Sequence, residues 1–287
     1  MLALISAISL RIASNPLSNV IQKQLANQGT SPVVINFFTY FLLSMVCVVF
    51  ALGVNWAALS PSFWSYAMIG GAFGASGNAC LIKALQSGEL SVLGPINAYK
   101  SVVGMIAAIF LLKEIPSFVG IAGIILIIAG SYFIFDTLGE KFSPKVLLRK
   151  DIQFRILALI FTAIEAVFIK RVIIESSPLI SFIVWCWFGA LFSFVITICS
   201  RRNITDHLNV KNFPKYLLLV AFTGIMQLST NFVFKRMNVS YALALFQLSA
   251  LVSVFLGYKF FNEINLLKKV FGTIIMIAGS VIIILGV

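Results

Sequence analysis

Charge is scarce in this chain. Only 10% of its 287 residues are Asp, Glu, Lys or Arg, against about a quarter in ordinary soluble domains, so water is not its main solvent. Acids are scarcer still, with nine Asp and Glu against 21 Lys and Arg, and the single histidine, His207, falls in a polar stretch. The chain therefore has no paired carboxylate within an apolar run, no His-Glu-x-x-His, no metal-ligand cluster and no Gly-Lys-Ser/Thr to cradle a phosphate. These absences argue against an enzyme, and no cofactor or metal is expected. Cys47, Cys80, Cys186 and Cys199 lie in apolar runs without ligand spacing and read as free thiols. Residues 1–10 lack the basic start and small-residue cleavage site of a removable signal peptide, so they read as part of the first helix.

What is abundant is apolar surface: 60% of residues are hydrophobic and the mean hydropathy is +1.04. Such a composition specifies an all-α membrane protein, because a lipid-spanning helix needs about 20 mostly apolar residues and satisfies its own backbone. Apolar windows between polar breaks predict ten transmembrane helices, near 2–22, 33–54, 63–85, 90–112, 117–135, 153–170, 178–200, 216–234, 240–260 and 266–287. The formal charge of +12 is carried mainly in the short connections. That placement fits juxtamembrane contact with anionic lipid rather than nucleic acid, though the charge distribution leaves the orientation of the termini open.

The two halves of the sequence repeat. A shift of 149 positions lays Leu111-Leu112-Lys113-Glu114-Ile115 on Phe260-Phe261-Asn262-Glu263-Ile264, Ile128-Ala129-Gly130-Ser131 on Ile277-Ala278-Gly279-Ser280, and Gly123 on Gly272. At nearly the same spacing Lys23 falls on Lys170 and Ser31-Pro32 on Ser177-Pro178. The expected units are residues 1–135 and 152–287, joined by a polar linker at 136–151. With five helices in each, the second unit enters the membrane inverted, which is the arrangement on which alternating access around a midplane site rests.

A short apolar helix, an acidic turn (Lys113-Glu114 and Asn262-Glu263) and a closing helix with Ala-Gly-Ser resemble the EamA units of the drug/metabolite transporter superfamily. The resemblance covers essentially the whole chain and implies a multi-pass secondary transporter, expected in the bacterial inner (plasma) membrane, whose partners are a small-molecule solute and lipid. In that family the turn usually reads Gly-Glu.

Polar side chains in the predicted spans nominate the solute site, since an ionisable group at mid-span costs about 2.5–3.5 kcal/mol on insertion scales and faces a cavity or a partner. Lys100 lies mid-span in the fourth helix beside Asn97 and Tyr99, where Pro95 can kink the chain and free a backbone carbonyl. Arg11 shares one stripe with Asn15 and Asn19, with Pro16 as a second hinge. Glu165 is the one carboxylate set well inside a span, and serves either as an ion-pair partner or as a protonatable coupling group. Asn78, Gln227, Asn231 and Gln247 complete the substrate-binding candidates, with interhelical hydrogen bonding as their alternative role. Trp185, Trp187 and Phe246 read as packing, and the Gly- and Ala-rich face of the third helix as a close helix contact. Arg11 and Lys100 against Glu165 leave the site positive by one. That balance favours an amino acid or other carboxylate-bearing solute. A non-transporting scaffold or accessory subunit of a lipid-handling complex is the competing class, and a channel is disfavoured for want of a filter or a charged ring.

Overall fold

The structure, a computed structural model, describes residues 2–100, 102–103, 118–138, 144–201 and 212–285. The predicted helix end at 112 and the turn at Lys113-Glu114 lie outside these residues. The described chain is helical throughout, without strands. Its helices are α1 (Leu2–Asn27), α2 (Pro32–Ala51), α3 (Pro61–Ser87), α4 (Leu90–Leu93), α5 (Phe118–Phe135), α6 (Lys150–Glu175), α7 (Pro178–Cys199), α8 (Phe213–Arg236), α9 (Val239–Phe246), α10 (Ser249–Phe261) and α11 (Leu266–Leu285). Among the described residues, six stretches are long and apolar enough to cross a membrane: α2, α5, α7, α8, residues Tyr241–Phe261 and α11. Helices α1, α3 and α6 are as long, at 26, 27 and 26 residues, but carry more polar groups.

Serine and proline set several helix starts. Pro32, Pro61 and Pro178 each open a helix after a serine, where the missing N–H costs nothing. Ser60 and Ser177 accept the backbone N–H of Phe63 and Ile180 at 3.0 and 3.1 Å. Prolines inside the helices behave unequally. Pro16 is buried within a continuous α1, since it removes one backbone bond while the turns on either side hold the helix. At Pro95 the helix does break: α4 ends at Leu93, residues Pro95–Ala98 form a 3-10 turn, and helix resumes at Tyr99.

The corresponding segment of the second half breaks as well. Helices α9 and α10 are separated at Gln247-Leu248, where the repeat shift would put Ala98 and Tyr99, although no proline stands there. A non-α turn thus interrupts the described part of each of the spans expected at 90–112 and 240–260, the second of which still runs as a span from Tyr241 to Phe261.

Glycine governs how the helices approach one another. Gly70, Gly74 and Gly77 of α3 face Phe168, Glu165 and Thr162 of α6, and a Cβ on Gly77 would stand 2.7 Å from the Thr162 methyl. Helices α5 and α11 meet through the repeat glycines. A Cβ on Gly123 would lie 2.7 Å from the Gly279 carbonyl, and one on Gly130 would lie 2.6 Å from that of Gly272. Since 123 meets 279 and 130 meets 272, the two helices run antiparallel, and small residues are what let their backbones come so close.

Outward faces are apolar, with Val49, Ile125 and Val195 exposed by 71%, 60% and 46%, as a surface wetted by lipid requires. Polar groups turn inward instead, where the helices enclose a cavity.

Candidate functional site

The cavity holds about 140 Å³ and is walled by α1, α3, the Gly94–Lys100 break, α6, α7, α8, α9 and α10, with Tyr40 reaching in from α2. Four charged side chains line it: Arg11, Lys100, Arg155 and Glu165. None of them makes a salt bridge among the described residues. Neutral groups hold Arg11, Arg155 and Glu165 in place instead.

The Arg11 guanidinium donates through Nε to Thr230 Oγ1 at 2.8 Å and lies 4.9 Å from the centre of the Phe246 ring, while its buried Nη1 has no partner among the described residues. The stripe it begins continues along the wall, because a four-residue step returns to the same helix face, and Asn15 and Asn19 both line the cavity. Glu165 accepts 2.6 Å from the indole N–H of Trp185. Gly74 stands opposite its carboxylate with no room for a side chain, so part of the glycine face of α3 is there to admit Glu165.

Arg155 is the residue that sequence reasoning missed. It sits just inside the expected start of the sixth span, among basic residues that read as loop charge, yet it is 7% exposed. Its Nε donates to the Leu93 carbonyl at 2.7 Å and its Nη2 to Asn97 Oδ1 at 3.0 Å. The signal lay in the proline: the break redirects the Asn97 N–H to Gly94, which leaves the Leu93 carbonyl needing a donor. Which helix would supply that donor was not legible. With Arg155 counted, the cavity is positive by two rather than by one.

The remaining candidates divide. Asn78, Asn97 and Gln227 line the cavity. Asn78 also belongs to an amide chain in which Gln22 donates to it at 3.2 Å and it donates to Asn36 at 2.7 Å. Tyr99, Asn231 and Gln247 lie outside the cavity wall, each engaged elsewhere. The Tyr99 hydroxyl is 2.9 Å from Ser131 Oγ on α5. Asn231 accepts from Gln227 at 3.0 Å and donates to the Pro178 carbonyl at 3.1 Å, so the shared face of this pair is spent partly on helix docking. Gln247 donates to the Asn97 carbonyl and accepts from its side chain, both at 3.3 Å, and so joins the two helix breaks directly. Trp185 and Phe246, read as packing, touch the charges of the site.

A second polar cluster lies beyond the cavity. Lys23, Glu263 and Lys269 are buried at 7%, 7% and 1% exposure. Lys23 donates to the Gly88 carbonyl at 2.6 Å and to Glu263 at 3.2 Å, while Glu263 also accepts the backbone N–H groups of Leu90 and Ser91, each at 2.8 Å. Lys269 donates to Ser91 Oγ at 2.8 Å and pairs with Glu89. Glu263 lies in the connection between α10 and α11, and burial works against its ionised form. The Ser91 hydroxyl, Lys23 and the two backbone donors outweigh that burial and hold the carboxyl below its usual range. The turn before it explains the departure from Gly-Glu: Asn262 has φ 52°, a left-handed conformation that asparagine tolerates best after glycine. Across the repeat, Lys170 donates to the Phe234 and Met237 carbonyls at the end of α8, as Lys23 does to Gly88 just past α3.

Comparison with known proteins gives the family. The model of the EamA-like transporter family matches the chain twice, over residues 2–136 and 150–285. A solved structure described only as the crystal structure of a protein is 16% identical to the chain, with 96% of each chain covered and a TM-score of 0.64, and shows a shared fold. No curated protein matches the chain. With both halves matched, the chain is a multi-pass membrane protein and belongs to the EamA-like transporter family.

Proposed function

We propose that the chain is a secondary carrier of ten spans, built as inverted halves at 1–135 and 152–287 around the linker 136–151. It moves a small carboxylate-bearing or zwitterionic metabolite by alternating access and resides in the bacterial inner membrane. The observation that carries this reading is the state of the four cavity charges. Burying charge in a low-dielectric interior is costly, and opposite charges in a structural site pair with one another. Here three cations and a carboxylate line one cavity with no salt bridge among the described residues; Arg11, Arg155 and Glu165 rest on Thr230, the Phe246 ring, Asn97, Trp185 and a backbone carbonyl, so the charge complement is left for a solute. The antiparallel glycine contact of α5 with α11 and the matched helix breaks support the inverted pairing, since discontinuous helices at a repeat interface are where carriers bind their cargo.

A ligand that binds the folded state raises its apparent stability. Thermal unfolding of the purified protein across a metabolite library, repeated with Lys100→Ala, tests the reading. A stabilising carboxylate-bearing compound whose effect is lost in the variant is the expected result. A hit of equal strength in the variant would make Lys100 structural, and the absence of any hit would favour the accessory-subunit class.

A further inference from the structure

The arrangement of the cavity charges specifies more than a carboxylate. Arg155 and Glu165 are ten residues apart on α6, about 15 Å along the helix axis at 1.5 Å per residue. Arg11, on the facing α1, lies within electrostatic reach of Glu165, and Lys100 lies within reach of Arg11, Arg155 and Glu165. One pole of the cavity therefore offers a guanidinium beside a carboxylate. The other offers a second guanidinium, with the ammonium of Lys100 between them. Arg11 has an unpartnered, buried Nη1, and the only bond Glu165 makes among the described residues is to Trp185, through one oxygen.

We propose that the solute is an acidic amino acid, its α-carboxylate on Arg11, its ammonium on Glu165 and its side-chain carboxylate on Arg155 and Lys100. This rests on the carrier reading above and deepens it. A neutral amino acid would satisfy the Arg11–Glu165 pole and leave Arg155 and Lys100 without a counter-charge. A dicarboxylate or organophosphate without an amine would bring Glu165 no cationic group and set a further anion beside it. The acidic amino acid is the smallest metabolite class that answers all three demands. Bidentate guanidinium-to-carboxylate geometry suits both ends, and the Phe246 ring beneath Arg11 and the indole N–H of Trp185 on Glu165 fix the two groups of the head-group pole.

Counterflow into liposomes holding the purified full chain tests the assignment, with labelled L-glutamate and L-aspartate compared with L-glutamine, L-alanine, glutarate and a sugar phosphate. Saturable exchange of glutamate or aspartate is expected, with glutamine and glutarate each disfavoured by at least about tenfold, since a site built for a polar group rejects the analogue that lacks it. In Arg155→Gln the glutamate KM should rise by about tenfold or more while glutamine becomes an equal substrate, and Arg155→Lys should restore the preference. Because Arg155 also holds the helix break, the selectivity of the wild-type protein stands as a test should Arg155→Gln fail to fold. Equal exchange of glutamate with glutamine, glutarate or the sugar phosphate would overturn the assignment, as would selectivity unmoved in a folded Arg155→Gln. Exchange of neutral or purely anionic solutes without glutamate would overturn it while leaving the carrier intact. No exchange of any solute by folded protein would instead remove the carrier reading beneath it.

Discussion

At the scale of single residues, the membrane interior makes each charge informative, because each must have a neutral hydrogen-bond partner, a counter-ion or a solute. Glu165 has the first through Trp185, whose indole N–H would otherwise be stranded in an apolar wall. Trp185→Phe removes that donor while keeping a smaller aromatic ring in its place. Removing a hydrogen bond to a charged group costs about 1.5–3 kcal/mol. The variant is expected to weaken solute affinity by roughly tenfold or more while eluting as a folded protein, and unchanged affinity would place Glu165 outside the solute's contacts. Glu263 makes a different prediction, in stability. Its carboxyl is held below the ordinary value of about 4.3, so its contribution is fully present above that value and is lost as pH falls through the lower native one. Glu263→Gln leaves Lys23 without a counter-charge, among neutral partners such as the Gly88 carbonyl and the Phe261 ring, and should cost about 3 kcal/mol at neutral pH. Its thermal midpoint should also fall less steeply below pH 4 than that of the wild type; parallel curves would show that Glu263 does not titrate as the geometry implies.

At the scale of elements, the repeat glycines decide how close two helices come. Gly272 meets the Gly130 carbonyl across α5 and α11, and Gly279 meets that of Gly123. Gly130→Leu should therefore destabilise the protein by about 1–3 kcal/mol through overpacking, whereas Gly53→Leu, with nothing within 4 Å of its position, should have little effect. Comparable losses at the two sites would contradict the contact. These elements also show what sequence can and cannot carry. Span-length apolar windows and the glycine register were legible because lipid imposes length and close approach imposes small size. The break after α9 was not, since no proline marks it and its cause is tertiary: Gln247 turns its amide to Asn97 at the opposite break. Pro16 differs from Pro95 in that the flanking turns of a 26-residue helix accommodate it without a break. Tyr99, Asn231 and Gln247 were correct as polar residues in apolar helices, but spacing alone does not say whether such a group faces a cavity or a neighbouring helix.

For the whole molecule, the two polar centres have different roles in the carrier reading. The cavity charges are held apart by neutral groups and wait on a solute. The cluster of Lys23, Glu89, Glu263 and Lys269 is paired, and it ties α1 and the start of α4 to the α10–α11 turn of the opposite half. Its repeat-related lysine, Lys170, meets only backbone carbonyls among the described residues. The two halves thus carry the same lysine-to-carbonyl contact. Arg155 went unseen in the sequence because it stands at the mouth of a span, where a basic residue reads as an anchor. The decisive measurement is the concentration dependence of solute exchange by the purified protein in liposomes, taken side by side with Lys100→Ala. Exchange that saturates, and whose KM rises about tenfold or more when the ammonium is removed, is expected of a carrier whose cavity charges bind the solute. Flux that grows linearly with concentration, or saturating exchange indifferent to Lys100, would contradict it.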